Sequence, residues 1–445
     1  MEIKNKAARI SLFSLSTPQM RAFHMTWFAF FLCFFGWFGI APLMAVVRED
    51  LGLTKTQIGN TIIASVAITI LCRLVVGKLC DKYGPRLTYT WLLLVGALPV
   101  MGIGLSHSYE TFLLFRLAIG MIGASFVITQ YHTSIMFAPN VVGTANATTA
   151  GWGNLGGGVT QMVMPLIFAA IVSLGAGKFL GWRLAMVVPG VVLFLTGIAY
   201  YFFTQDAPDG NYKELRARGE MPAAEDKEHG SFLLAAKDPR VWALFVVYAA
   251  CFGVEITIDN IAALYFFDRF ELSLESAGII AGLFGLMNIF ARALGGIFSD
   301  KFAKSHGLTG RVRFLFAVLF LEGIALVVFS QMSALVIAVI SMVVFGLFVK
   351  MSNGATYGVV PFLNKKALGS VAGIVGAGGN AGAVAAGFLF RSESLTMQGG
   401  LFYLGLCVVI ASLFVFFIRF SPETIEEEKR AFQEAQAQKT AAVGS

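Results

Sequence analysis

An all-α polytopic membrane protein, with twelve transmembrane helices in two pseudo-symmetric six-helix bundles, is the fold class the sequence predicts. Three observations predict it. Of 445 residues, 57% are hydrophobic and 13% charged, whereas soluble proteins carry about 25% charged residues. Apolar stretches recur along the whole chain, and the mean hydropathy is +0.75; a helix needs ~20 apolar residues to cross a ~30 Å hydrocarbon core. The second half of the chain repeats the first.

The apolar stretches define spans at 22–47, 56–79, 87–106, 109–137, 142–173, 183–203, 239–267, 272–300, 311–330, 333–362, 366–390 and 398–420. One long charged, proline-containing interruption separates six spans from six, a linker composition rather than a core one. The chain therefore divides into an N-terminal six-helix bundle (1–204), a cytoplasmic linker (205–238), a C-terminal six-helix bundle (239–420) and a cytoplasmic tail (421–445). The tail stretch Glu423–Glu434 reads as a solvated amphipathic helix. The N-terminus is polar and basic to Arg21 and shows no cleavable signal peptide.

Lysine and arginine set the orientation. With both termini inside, the inner side holds Lys4, Lys6, Arg9, Arg21, Lys78, Lys82, Arg86, Lys213, Arg216, Arg218, Lys227, Lys237 and Arg240. Lys301, Lys304, Arg311, Arg313, Lys365, Lys366, Arg419, Lys429, Arg430 and Lys439 follow. The outer side holds only Arg48, Lys55, Lys178, Arg183, Arg269 and Arg391. The net charge of +7 thus sits in loops and tails and is no nucleic-acid footprint. Cys33, Cys72, Cys80, Cys251 and Cys407 show neither metal spacing nor a disulfide framework. There is no nucleophile–base motif and no phosphate loop, so an enzyme, a cofactor and a metal site are not expected.

A shift of 219 residues carries Gly59, Arg73, Gly77, Asp81 and Lys82 onto Gly278, Arg292, Gly296, Asp300 and Lys301. A shift of 226 carries Tyr131, Gly143, Asn154 and Gly156 onto Tyr357, Gly369, Asn380 and Gly382. Parallel six-span repeats of this kind place a site near the bilayer midplane at the repeat interface. Arg73 and Arg292 lie eight residues inward of Asp81 and Asp300, about 12 Å at 1.5 Å per residue. A charge at that depth costs about 2.5–3.5 kcal/mol on insertion scales. A guanidinium is a planar fork suited to a flat oxyanion. The alternative is pairing with a buried carboxylate, for which Glu255, Asp259 and Glu322 are candidates. No acid lies in the first-half spans between Asp50 and Asp81, or between Glu110 and Asp206, so Arg73 is expected to lack a carboxylate in its own half. Together the arginines point to an anion site.

Span five carries Gly151, Gly153 and Gly156 around Asn154, and span eleven carries Gly376 and Gly379 before Asn380. Such glycines let helix backbones approach closely. The central asparagines need a further reason, because a buried amide needs a partner and an anion's oxygen accepts from its NH2 group. Lys350 is a further cation inside span ten, two residues before Ser352, the repeat counterpart of Phe126. It is expected to attract the anion, pair with Glu322, or snorkel. Arg116 at the start of span four lies nearer the outer edge and is given a structural role.

The stretch Gly77-Lys-Leu-Cys-Asp81-Lys-Tyr-Gly-Pro-Arg86, repeated around Asp300, resembles the loop signature of the major facilitator superfamily, which implies the major facilitator fold and a charge latch at Asp81 and Asp300. The two glycine–asparagine runs resemble the paired signatures of its nitrate/nitrite porter family. Arg73-Leu-Val-Val-Gly-Lys-Leu-Cys-Asp-Lys-Tyr-Gly-Pro-Arg86, Cys251-Phe-Gly-Val-Glu-Ile-Thr-Ile-Asp-Asn260 and Ala355-Thr-Tyr-Gly-Val-Val-Pro-Phe362 resemble the same family and look closest to its assimilatory, plant-like branch. The resemblance implies nitrate or nitrite as substrate and a site of Arg73, Arg292, Asn154, Asn380, Phe126, Tyr248 and Phe252. Aromatic walls with positive edges suit a planar, weakly hydrated anion.

The resulting expectation is a secondary active transporter for nitrate assimilation, a cell-membrane protein acting as a monomer by alternating access. Uptake against an inside-negative potential requires energy, about 2.3 kcal/mol per charge per 100 mV. Proton symport supplies it, with Glu255, Asp259, Glu322 or His132 as the titrating group; helix-to-helix hydrogen bonding is the alternative role for these four. Nitrate/nitrite antiport is the alternative coupling. A nitrate-binding membrane sensor is the alternative of another class, disfavoured because 205–237 and 421–445 are short and charged.

Overall fold

The computed structural model describes residues 5–138, 141–220, 229–364 and 368–426. Lys4, Lys227, Lys365, Lys366, Lys429, Arg430 and Lys439, and the expected tail helix after residue 426, lie outside the described residues. Among the described residues there are 12 helices long and apolar enough to cross a membrane. They are Pro18–Leu51, Lys55–Tyr83, Pro85–Leu105, Tyr109–Met136, Thr144–Ser173, Lys178–Phe203, Pro239–Phe270, Leu274–Ala303, Ser305–Ser330, Leu335–Phe362, Ser370–Arg391 and Met397–Phe417, numbered one to twelve below.

Several ends differ from the apolar limits because caps, not hydropathy, start a helix. Thr17 accepts from the Met20 N–H at 3.3 Å, with Pro18 in the first turn, so span one begins at Pro18. Thr54 and Gln57 form a capping box that starts span two at Lys55, and Ser108 with Thr111 does the same for span four. Each satisfies N–H groups that a helix start leaves open. Gly84 (φ +89°) turns span two into span three, and Gly307 (φ +59°) interrupts the helical path early in span nine. Both need the backbone freedom of glycine.

The chain forms two compact units. The first comprises Met1–Lys227, Ile256–Ile289 and Ala383–Gly400, that is, spans one to six with parts of spans seven, eight and eleven. Within it span one packs along span five, span three along span six, and the first part of span eight along span five. The second comprises Glu228–Glu255, Phe290–Gly382 and Leu401–Ser445, in which span nine runs beside span ten.

The repeat reappears as packing inside each unit. In the first, a Cβ on Gly153 would strike the Phe30 ring and one on Gly156 the Phe31 carbonyl oxygen, so span five lies directly on span one. In the second, a Cβ on Gly379 would strike Phe252 and one on Gly382 the Ala249 carbonyl, so span eleven lies directly on span seven. These are the residues the 226-residue shift relates. Spans five and eight also cross at glycine on glycine, where a Cβ on Gly158 would sit 2.6 Å from the Gly285 Cα. Without water between helices, close backbone contact is what holds them.

Gly156→Ala should therefore force the helices apart and destabilise the protein by about 1–3 kcal/mol, the usual range for overpacking. Gly77→Ala should be silent, because nothing lies within 4 Å of a Cβ there. Thermal unfolding of both variants in detergent checks this; equal melting temperatures would refute the seam.

Candidate functional site

In the first unit, Arg73 belongs to the uninterrupted helix of span two, and its guanidinium carbon lies 5.7 Å from the centroid of the Phe126 ring. That is cation–π range. Phe30 of span one braces Phe126 at 5.8 Å between ring centroids. Span four bends just before Phe126, where Gly120–Ala124 tightens into a 3₁₀ turn. Gly120 presses on the Ser65 backbone there and Gly123 on Trp37 and Thr69. Asn154 is buried, with Oδ1 making no hydrogen bond.

In the second unit, Arg292 repeats the arrangement on different scaffolding. Span eight breaks into a 3₁₀ turn at Met287–Ile289, and a new helix starts at Ala291. Arg292 thus stands in the first turn of a helix, where backbone N–H groups are open and the dipole favours an anion. Its Nη2 donates to the Tyr248 hydroxyl at 3.2 Å, its guanidinium lies 6.0 Å from the Phe252 ring, and its Nη1 is buried with no partner. Tyr248 and Phe252, one turn apart on span seven, stack at 5.1 Å and 11°. Asn380 is fully buried, and neither amide atom has a hydrogen-bond partner. Each arginine thus faces a phenylalanine at cation–π distance, and each unit holds a buried asparagine with an unsatisfied amide atom.

Lys350 does not take the partner proposed for it. Its Nζ lies 2.6 Å from Glu255 Oε1, not against Glu322, and both groups are buried. Asn353 Nδ2 donates to Glu255 Oε2 at 2.6 Å. The reason is helical register. Tyr248, Phe252 and Glu255 form one stripe of span seven, and Lys350, Asn353 and Tyr357 one stripe of span ten. Tyr357 meets Tyr248 edge-on at 5.2 Å between centroids, which aligns the stripes. Glu322 of span nine is also fully buried. Ser352 faces its carboxyl without closing a well-formed hydrogen bond.

The other candidates lie elsewhere. His132 engages both ring nitrogens, Nδ1 with the Tyr200 hydroxyl at 2.6 Å and Nε2 with the Gln205 carbonyl at 2.9 Å. Asp259 sits against Gly157, and its carbonyl accepts from Gln161 at 2.6 Å. Asp81 accepts from the Tyr131 hydroxyl at 2.9 Å, and Arg216 of the linker clasps the Asp81 and Lys82 carbonyls at 2.9 and 2.5 Å. Asp206 beside them caps the Arg86 and Tyr212 N–H groups at 2.8 and 3.0 Å. Burial pushes its carboxyl up from the usual range, against the pull of those two N–H groups. Asp300 pairs with Arg311 at 2.6 Å. Gly151 lies 3.5 Å, as a Cβ, from the Asn288 carbonyl, and Gly376 falls one turn before Gly379 on span eleven.

Polar contacts gather at one end of the first unit. Arg48 binds Asp268 through two 2.7 Å hydrogen bonds, and Lys55 holds the Ser392 and Leu395 carbonyls. The Thr56 hydroxyl donates to Glu393 at 2.6 Å; together with the Thr56 N–H it holds that carboxyl below its usual range. These contacts surround a cavity of about 290 Å³. Arg116, only 1% exposed, donates to the Trp37 carbonyl, Ser65 Oγ and Asn260 Oδ1, each at 3.1 Å. These neutral acceptors agree with its structural role.

Sequence reasoning missed Phe30, Asn353, Tyr357 as a wall of the Arg292 group, and the break before Arg292. Asn353 had a legible signal, since it falls one turn after Lys350. The break left only a faint mark, Asn288 as one polar residue in an otherwise apolar stretch.

The family model described as Major Facilitator Superfamily matches residues 26–387. The chain is 44% identical over 422 residues to "High affinity nitrate transporter 2.5" of Arabidopsis thaliana, covering 94% of this chain and 84% of the relative. It is 40% identical to "High-affinity nitrate transporter 2.3" of Oryza sativa subsp. japonica, covering 93% and 80%. Among solved structures, a bacterial homologue of the human lysosomal transporter Spinster, inward-facing and unoccupied, superposes with a TM-score of 0.71. At 16% identity it covers 92% of this chain and 99% of that one, and it shows the fold alone.

Proposed function

Because this chain belongs to the nitrate/nitrite porter family of the major facilitator superfamily, we propose that it carries nitrate, and nitrite with it, across the cell membrane by alternating access. Both termini are cytoplasmic, the monomer is the working unit, and protons drive uptake. The observation that carries this reading is the recurrence of one arrangement in both units: a guanidinium facing a phenylalanine at 5.7 Å (Arg73) and at 6.0 Å (Arg292). Arg73 and Arg292 each supply charge and planar donors for an anion in their own unit. Phe126, Phe252 and Tyr248 supply flat walls that exclude water, which strengthens each charged hydrogen bond. Asn380 offers an amide donor that the protein leaves unused, whereas on Asn154 the atom left without a partner is Oδ1.

Selectivity follows from the same chemistry. Nitrate is planar, singly charged and weakly hydrated, so a guanidinium fork and aromatic faces replace its hydration shell at little loss. A tetrahedral, strongly hydrated phosphate would need more polar lining. Lys350 adds positive potential, but its pairing with Glu255 makes direct contact with nitrate unnecessary. The ties at Arg48–Asp268 and Lys55 support an outer side that closes and must open once per cycle. The contacts of Asp81 with Tyr131 and of Asp300 with Arg311 support latches at the inner edge.

The test is flux in liposomes. Purified protein should exchange labelled nitrate in counterflow, with nitrite competing and chloride and phosphate not. Nitrate added outside should alkalinise the external medium when no nitrite is inside. Counterflow without any proton movement would replace symport by nitrate/nitrite exchange, and binding without flux would make the protein a sensor.

A further inference from the structure

The second unit brings two buried carboxylates, the buried Lys350 and the half-buried Arg292 into one neighbourhood. Glu255 has Lys350 at 2.6 Å and accepts from Asn353 at 2.6 Å. Arg292 lies within electrostatic reach of Glu255 and donates to Tyr248. Glu322 is the odd member. It is fully buried, yet no cation among the described residues lies within ion-pair distance of it, and neither carboxyl oxygen makes a well-formed hydrogen bond.

The groups facing Glu322 are few. Span seven presents Cys251 and Glu255, and span ten presents Lys350 and Ser352. Span twelve packs Gly405 and Val409 against the neighbouring Gly323 and brings no titratable group to that contact. With Glu322 ionised, Arg292, Lys350, Glu255 and Glu322 sum to zero charge. An anion docking on Arg292 leaves the cluster one negative charge in excess. In a low-dielectric interior that excess is unfavourable, and a proton is the simplest counter-charge.

We propose that Glu322 is the proton site of transport, with the Glu255–Lys350 pair as the fixed charge that couples it to nitrate on Arg292. This rests on the proton-coupled reading above and selects one of its four candidate groups. The Glu322 carboxylate takes one proton from the outer solution as nitrate binds, becomes a neutral carboxylic acid during the crossing, and returns to the carboxylate by releasing that proton inside with the anion. Glu255 keeps its charge throughout, because Lys350 and Asn353 hold both of its oxygens. Among the described residues no hydrogen bond or ion pair joins Glu322 to the arginine–aromatic site, so removing its titration should uncouple transport without removing the anion site.

The test compares wild type, Glu322→Gln and Glu322→Asp in liposomes by two readouts, labelled-nitrate counterflow and nitrate-driven acidification of the lumen. Glu322→Gln should keep counterflow and lose acidification, and its nitrate flux should lose its dependence on a pH gradient. Glu322→Asp keeps an acid at the site and should retain both readouts, which separates loss of the proton site from a packing defect. Acidification by Glu322→Gln equal to wild type would overturn the assignment. So would loss of counterflow in Glu322→Gln, since Glu322 would then serve the anion step itself. Wild-type counterflow without acidification would overturn the proton-coupled reading, and this proposal with it.

Discussion

Arg292→Lys should weaken nitrate binding by roughly 10- to 100-fold and reduce uptake to near background while the protein stays folded. The argument is geometric. Arg292 uses one terminal nitrogen on the Tyr248 hydroxyl at 3.2 Å and keeps Nη1 buried and unpartnered, so a single planar group reaches the aromatic wall and the anion together. An ammonium is a point charge on a flexible stem and cannot hold both directions in one plane. Hydrogen bonds to charged groups contribute about 1.5–3 kcal/mol each, and 1.4 kcal/mol is tenfold in affinity. Gly354 of span ten packs on the Arg292 carbonyl, the atom that a Cβ there would strike, so that backbone contact does not depend on the side chain. The melting temperature without nitrate should therefore change little, while the rise in melting temperature on adding nitrate disappears. Arg73→Lys should behave likewise. Wild-type uptake and nitrate-dependent stabilisation in Arg292→Lys would remove this residue from the site.

The largest stability effect should come from Lys350→Met. Lys350 and Glu255 are 0% and 2% exposed at the side chain. Removing the ammonium leaves a carboxylate in the interior with its ion pair gone, and breaking such a buried pair typically costs 3–5 kcal/mol. Replacing both charges should recover most of the loss, because the double variant buries neither ion. Lys350→Met with Glu255→Gln should therefore melt well above Lys350→Met alone, a coupling that a double-mutant cycle measures directly. Asn353 would still have an amide oxygen to meet at position 255, which helps the double variant retain the span seven–span ten contact. If Lys350→Met melts like the wild type, the pair contributes nothing to the fold.

The candidate site was legible to different depths. Arg73 and Arg292 stood out because a charge in an apolar run is costly wherever the helix points. Asn154 and Asn380 stood out because they repeat at a fixed shift among glycines. Gly153 and Gly379, related by the same shift, each pack on a phenylalanine, Phe30 and Phe252. Phe126, Tyr248 and Phe252 came from family resemblance, since one phenylalanine among 42 carries no local mark of its neighbours. Lys350 was visible as a buried cation, yet its partner was not. Glu255 and Glu322 are equally acidic and apolar-flanked in the sequence, and only the rotation of span seven against span ten puts Glu255 at 2.6 Å. His132 looked titratable in sequence, whereas the fold engages both its ring nitrogens with Tyr200 and Gln205.

By itself the sequence determined the twelve spans and the internal repeat, and it set the expectation of a linker and of two arginines at matching depth. Those depend on composition over ~20 residues and on distance along a helix, both of which are local. The tertiary structure decided which ring each arginine faces, which acid Lys350 holds, where span eight breaks before Arg292, and which groups Arg48 and Lys55 bind. Those depend on how helices rotate and cross. Glycine seams and caps set that geometry jointly, so no single stretch of sequence contains it.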